Sequence, residues 1–326
     1  DGVDGLEVKN KELLVSTSVG KLRESSPYTY QQGLSGKKEI SCKYDVKDNI
    51  VRFKIKDYDP TATLIIDPVV IFCSFSGSAA DNWGFTATYG PDGSMYGGGI
   101  VFGGGFPVSP GAFQTSFQGG GTGVDIGIIR LSSNGSQRIY ATYIGGSGDE
   151  QPHSLIVDNQ GNLIIAGRSN SANYPVINNG TVAGSGYDIV VTKLNANGTA
   201  PLIGSRKIGG SGNDGVNISS TRGLSSLQRN YGDDGRSEVI LDGAGNVYVA
   251  SSTQSSNFPV TAGVFQGTSG GGTNNQDGVV LKLNANLSTL LFASYLGGSG
   301  NDAAYVLSLG PTGDIYVGGG TESSNF

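Results

Sequence analysis

His153 is the only histidine in these 326 residues, and Ser154 follows it directly. Any Ser-His-Asp or Cys-His arrangement would have to use it as base, and no Gly-x-Ser-x-Gly elbow accompanies it, so no catalytic residue is expected. Acids form a second set. Asp149, Glu150, Asp214 and Asp302 each follow a Gly-Gly-Ser-Gly turn, with Asp81 in a degenerate first copy. Their hard oxygens suit Ca²⁺, and the same placement suits capping of turn amides. Beyond that calcium candidate no metal or other cofactor is expected. The two cysteines make no Cys-x-x-Cys or Cys/His cluster. Cys42 and Cys73 are a candidate disulfide in an oxidising exterior, with two buried free thiols as the alternative.

The remaining candidates come from breaks in a repeat. Arg168 stands where the other copies have Ile100, Ser252 and Gly320. Between Gly209 and Gly245 lie 36 positions, against 16 in every other copy, so about 20 extra residues, roughly 218 to 236, enter there. They carry Arg222, Arg229, Tyr231, Asp233, Asp234 and Arg236, donor and aromatic types that dominate binding hot spots. A tolerated surface insertion is the plainer account. Trp83, the only tryptophan, lines a pore or rim or packs inside.

The elements that must position these residues are strands. Glycine reaches 55 of 326 residues and proline 11, too little for a disordered low-complexity chain. No apolar run approaches the roughly 18–20 residues of a membrane span, so no membrane insertion is expected. A net charge of −6 offers no footprint for a phosphate backbone, so no nucleic-acid partner is expected. Residues 1–67 hold 11 of the 21 basic residues and 11 of the 27 acidic ones, and alternation as in Ile50–Lys56 predicts a small charged β module with strands near 12–17, 39–45, 49–56 and 62–66.

From residue 68 to 326 the chain repeats itself. Tyr143-Ile144-Gly145-Gly146-Ser147-Gly148 returns from Lys207 and from Tyr295, and an Asp-x-x-Gly-Asn type turn places glycines at 93, 161, 245 and 313. Phe106-Pro107-Val108 returns from Tyr174 and Phe258, and Asp188–Asn195 resembles Asp125–Leu131 and Asp277–Asn284. Each copy, about 68 residues long, offers four short strands, near 153–158, 162–168, 188–194 and 202–208 in one of them. The reading is all-β: a β-propeller segment of four-stranded blades, about 3.5 copies, behind the N-terminal module. The sequence stops inside the pattern and reads as a fragment of something longer.

These elements, with Phe258–Gln266, resemble SBBP repeats, the β-propeller repeats of bacterial surface and secreted proteins. The leading segment, with Leu13–Gly20, Pro27–Gln31 and Ile65–Val69, is similar to the end of the uncharacterised domain that commonly precedes them. The resemblance implies an extracellular, multidomain architecture associated with gliding or adhesion, and in Bacteroidetes export by the type IX system. The reading of the whole chain is a non-catalytic scaffold, secreted or at the cell surface, that binds protein or glycan through propeller-face loops. A carbohydrate-active enzyme on a propeller and a spacer in a surface filament are the rival expectations.

Overall fold

A computed structural model describes all residues except 1–2, 18–19, 34–35, 68–74, 121–122, 178–185, 218–233 and 272–274. The chain divides into two units, Asp1–Cys73 and Ser74–Phe326. Among the described residues there is no helix.

The described residues of the first unit form eight strands: β1 (Val3–Lys9), β2 (Glu12–Thr17), β3 (Gly20–Glu24), β4 (Tyr28–Gly33), β5 (Gly36–Glu39), β6 (Ser41–Lys47), β7 (Ile50–Lys56) and β8 (Leu64–Asp67). They form a β1-β2-β3 meander, a β5-β4-β8 sheet and a β6-β7 hairpin. The four predicted strands are present as β2, β6, β7 and β8, and four more accompany them. In β4 the buried face carries Thr29 and Gln31, whereas Tyr28 and Tyr30 are half-exposed under Lys37, 3.6 Å from the Tyr30 ring. Gln31 belongs inside because its amide donates to the carbonyls of Asp59 and Ala62 and accepts from the Asp59 amide. Polar-in, aromatic-out is the reverse of the usual strand signal. Cys42 is buried on β6 without a disulfide partner among the described residues, and Cys73 lies outside them.

The second unit is built of blades. Strands β9 (Asn82–Tyr89), β10 (Met95–Val101), β11 (Asp125–Leu131) and β12 (Arg138–Ile144) form the first antiparallel sheet in chain order. Strands β13 (Glu150–Val157), β14 (Leu163–Ser169), β15 (Asp188–Leu194) and β16 (Gly204–Ile208) form the second. The third comprises β17 (Glu238–Leu241), β18 (Val247–Thr253), β19 (Asp277–Leu283) and β20 (Leu290–Leu296). A hairpin of β21 (Asp302–Leu309) and β22 (Ile315–Thr321) begins a fourth. The first strands of successive blades are neighbours, so the Gly-Gly-Ser-Gly turns carry the chain from the outer strand of one blade to the inner strand of the next.

The blade turns are the expected glycine turns. Gly93, Gly161, Gly245 and Gly313 have φ of 76°, 82°, 79° and 89°, the left-handed region that a side chain with a Cβ resists. In the second and third blades the turn aspartate, Asp158 or Asp242, accepts amide hydrogen bonds from the next residues.

Period two does the packing. On β14, Leu163 and Ile165 enter the core shared with the first blade, whereas Ile164 and Ala166 enter the core shared with the third. Both faces are dry, which explains an unbroken apolar run where a half-solvated strand would alternate. Each such aliphatic side chain contributes about 1.5–3 kcal/mol by leaving water. A polar latch repeats at the other end of the blades. Arg130 pairs with Asp92 at 2.8 Å and donates to Ala196 O in the next blade; Lys193 pairs with Asp158 at 2.9 Å and donates to Ala285 O.

Candidate functional site

The inner strands bring together residues far apart in sequence through a shared irregularity. Register slips in β9, β13 and β21 skip Phe85, His153 and Tyr305, each eight residues before its turn glycine. Such bulges re-aim a side chain. Ser237 holds the same place in the third blade, just before β17.

His153 Nδ1 meets Ser237 Oγ at 2.9 Å, and Ser237 Oγ meets Ser251 Oγ at 2.7 Å. This contact joins equivalent places in adjacent blades. Burial and the nearby Arg168 guanidinium hold the imidazole well below its usual pKa, and Nε2 is enclosed without a hydrogen-bond partner. A Ser-His pair acting as nucleophile and base needs an acid behind the ring to stabilise the imidazolium; here a cation is the charged neighbour.

Arg168 is largely enclosed, its side chain 12% exposed, instead of the solvated arginine that its place at a blade edge suggests. Its Nη1 donates to Asp234 O at 3.0 Å, its Nη2 lies 3.5 Å from the Asp234 carboxylate, and its guanidinium stacks 4.8 Å from the Tyr187 ring centroid. Tyr187 in turn donates to Asp149 at 3.0 Å, and burial followed by the Asp149 charge raises its pKa. Gly235 permits this approach, since a Cβ there would sit 2.8 Å from His153 Nε2 and 3.0 Å from Arg168 Nη1.

Two breaks in the repeat therefore touch: the arginine peculiar to the second blade grips the end of the insertion. The insertion closes on itself at that point. Asn217 N donates to Asp234 O at 2.9 Å, Asn217 Nδ2 donates to Tyr305 OH at 3.0 Å, Gln276 Nε2 donates to Asn217 Oδ1 at 2.7 Å, and Arg236 lies 5.3 Å from the Tyr305 ring centroid. Asp234 and Arg236 are thus placed at the neck with Arg168, whereas Arg222, Arg229, Tyr231 and Asp233 lie outside the described residues. Sequence reasoning missed Tyr187, Asn217, Ser237 and Tyr305. For Ser237 and Tyr305 the signal was the bulge column, whose contents change from Phe to His to Ser to Tyr while its surroundings repeat. Trp83 is 54% exposed and rests edge-on to Phe102, with 5.1 Å between ring centroids, so it is not packed inside.

The acids after the Gly-Gly-Ser-Gly turns point inward, except Asp149. Glu150, Asp214 and Asp302 are fully buried and accept from Gly146 N, Gly210 N and Gly298 N at 2.8, 2.8 and 2.7 Å. Serine hydroxyls complete them: Ser169 and Ser171 on Glu150, Ser255 on Asp214 beside Thr253, and Ser323 on Asp302. A shell of N–H and O–H donors is what a turn cap requires. Among the described residues no three His, Cys, Asp or Glu side chains gather as a metal site.

This architecture has a counterpart among known families. Residues 139–175 match the β-propeller repeat family SBBP, and residues 1–69 match a domain of unknown function, DUF7948. That segment is similar to an SBBP repeat. It runs from the last strand of the first blade through the turn, the inner strand and β14 of the second, so one SBBP unit spans the seam between two blades. No curated protein matches the chain.

Proposed function

We propose that this chain is a non-catalytic extracellular scaffold, on the bacterial surface or secreted, that recognises a protein or glycan through the propeller face bearing the insertion. The supporting observation is the meeting of Arg168 with Asp234 at the insertion neck, where two departures from the repeat form one structure. The SBBP repeat supports a binding or scaffold role in general. Arg222, Arg229, Tyr231, Asp233, Asp234 and Arg236 would supply the contacts.

The 2.9 Å backbone hydrogen bond between Asn217 and Asp234 makes the test clean. Replacing residues 218–233 by a two-glycine bridge is expected to leave the melting temperature within a few degrees of the parent. Glycan-array binding and attachment to bacterial cells are expected to fall at least tenfold. Unchanged binding by a folded excision variant would move the site elsewhere, and turnover of an array glycan by the parent would favour the carbohydrate-active enzyme.

A further inference from the structure

Each blade seam buries two carboxylates on either side of one glycine. A Cβ on Gly145 would sit 2.4 Å from Asp125 Oδ1 and 2.6 Å from Glu150 Oε2, so the two acids lie within about 5 Å of each other. The same holds for Asp188 and Asp214 around Gly209, at 1.9 and 2.5 Å, and for Asp277 and Asp302 around Gly297, at 2.1 and 2.9 Å. Asp125, Glu150, Asp214, Asp277 and Asp302 have no exposed surface and Asp188 almost none. Two bare carboxylates this close in a dry seam cannot both stay ionised without help.

The middle seam has that help. Lys207 Nζ lies 3.0 Å from Asp188 Oδ2 and donates to Ser171 O at 3.1 Å. In the outer seams the residue in the same register is Tyr143 or Tyr295. Its hydroxyl serves the equivalent loop carbonyl, Gly103 O or Ser255 O, and accepts from Phe106 N or Phe258 N. A tyrosine hydroxyl thus meets the carbonyl that the ammonium meets, without supplying its charge.

Donors divide the first pair unequally, three on Glu150 against two on Asp125, and the third pair evenly. Glu150 and Asp302 receive a backbone N–H and serine hydroxyls, as described above. Asp125 receives Gln118 N and Gln114 Nε2 on Oδ2, and Asp277 receives Gly270 N and Ser269 Oγ on Oδ2. Among the described residues, Oδ1 of Asp125, of Asp277 and of Asp302 is buried with no hydrogen-bond partner, and Oδ1 of Asp125 and of Asp277 faces the other acid across the glycine. Among the described residues Tyr174 and Tyr187 lie near Glu150 and Tyr295 near Asp277; burial raises their pKa values, so they stay neutral.

We propose that Asp125 and one acid of the Asp277–Asp302 pair each keep a proton at neutral pH, making the two lysine-free seams acid-stabilised joints that loosen as the pH rises, while Lys207 weakens this response in the middle seam. The direction agrees: burial and then Glu150 push Asp125 up to about 7, and burial with Asp302 raises Asp277. An unfolded aspartate releases its proton near pH 4. Between pH 4 and 7 the folded chain therefore holds a proton that the unfolded chain has lost, and stability falls as the pH rises through that window.

The test uses the whole chain at pH 6 and pH 8.5. Infrared spectra of the parent at pH 6 are expected to show the carbonyl stretch of a protonated buried acid, and Asp125→Asn with Asp277→Asn together to remove it. Wild type is expected to melt several degrees lower at pH 8.5 than at pH 6, and the double variant to lose at least half of that difference. No such band in the parent overturns the proposal, whether or not the variant folds. So does a variant with the full parental pH dependence, or a melting point that calcium or sodium raises at pH 8.5 in a band-free parent.

Discussion

The middle seam and its two neighbours bury the same pair of acids and balance them differently. Around Gly209, Lys207 supplies a full charge to Asp188; around Gly145 and Gly297, Tyr143 and Tyr295 supply hydroxyls that are already committed to loop atoms. The aromatic hydroxyl has moved in the second blade. Tyr174, where the others have Phe106 and Phe258, meets Thr192 Oγ1 at 2.8 Å. One fold thus tolerates two solutions because a buried acid needs either a cation or a proton, and the backbone of the seam is indifferent to which.

Removing the cation should give the largest effect. Lys207→Met strands Asp188 in a dry seam, and losing one partner of a buried pair costs about 3–5 kcal/mol. Urea unfolding at pH 8.5 should show that loss. At pH 6 it should be smaller, because Asp188, whose pKa burial already raises, can then take up a proton as Asp125 does. A loss equal at both pH values would mean that Lys207 acts through packing alone and would end the contrast between seams.

Much of this was legible in the sequence. The blades followed from repeated glycines whose spacing and turn chemistry admit one conformation, and Gly161 and Gly245 adopt it. The break at Lys207 was equally visible, standing in a column of tyrosines, yet its meaning was not, because its partner Asp188 lies on the neighbouring strand. Arg168 was found as a departure from the repeat, but its contact with Asp234 depends on how the second blade meets the third. The first unit hid β4 for a different reason: its interior is a hydrogen-bonded glutamine, and hydrophobic patterning is blind to that.

Where the blades agree, substitutions should agree too. Gly161→Val and Gly245→Val each force a β-branched residue into the left-handed region and should cost about 1–3 kcal/mol, with Gly→Asn costing less. The surroundings match as well, since an added Cβ would lie 3.4 Å from Ala196 and 3.6 Å from Ala285. Equal losses in thermal melts would confirm that the second and third blades share one turn environment. A difference above about 1 kcal/mol, a fivefold change in the folding equilibrium, would show that the blades themselves are unequal.

The smallest effect belongs to the latch in the third blade. Lys282 lies 3.3 Å from Asp242 and 4.7 Å from the Tyr248 ring centroid, with both charged side chains a fifth to a quarter exposed, whereas Lys193 and Asp158 are less than a tenth exposed at 2.9 Å. Lys193 also donates to the next blade through Ala285 O. Water screens the Lys282 pair and supports each partner when the other is lost, so Lys282→Met should cost about 0.2–1 kcal/mol, and less still in molar salt. Lys193→Met should cost several times more and respond little to salt, because its partner would be left buried. Urea unfolding of both variants with and without added salt measures this. Equal costs would show that the shared register, rather than burial, sets the strength of each latch, and the same reasoning would then fail for Lys207.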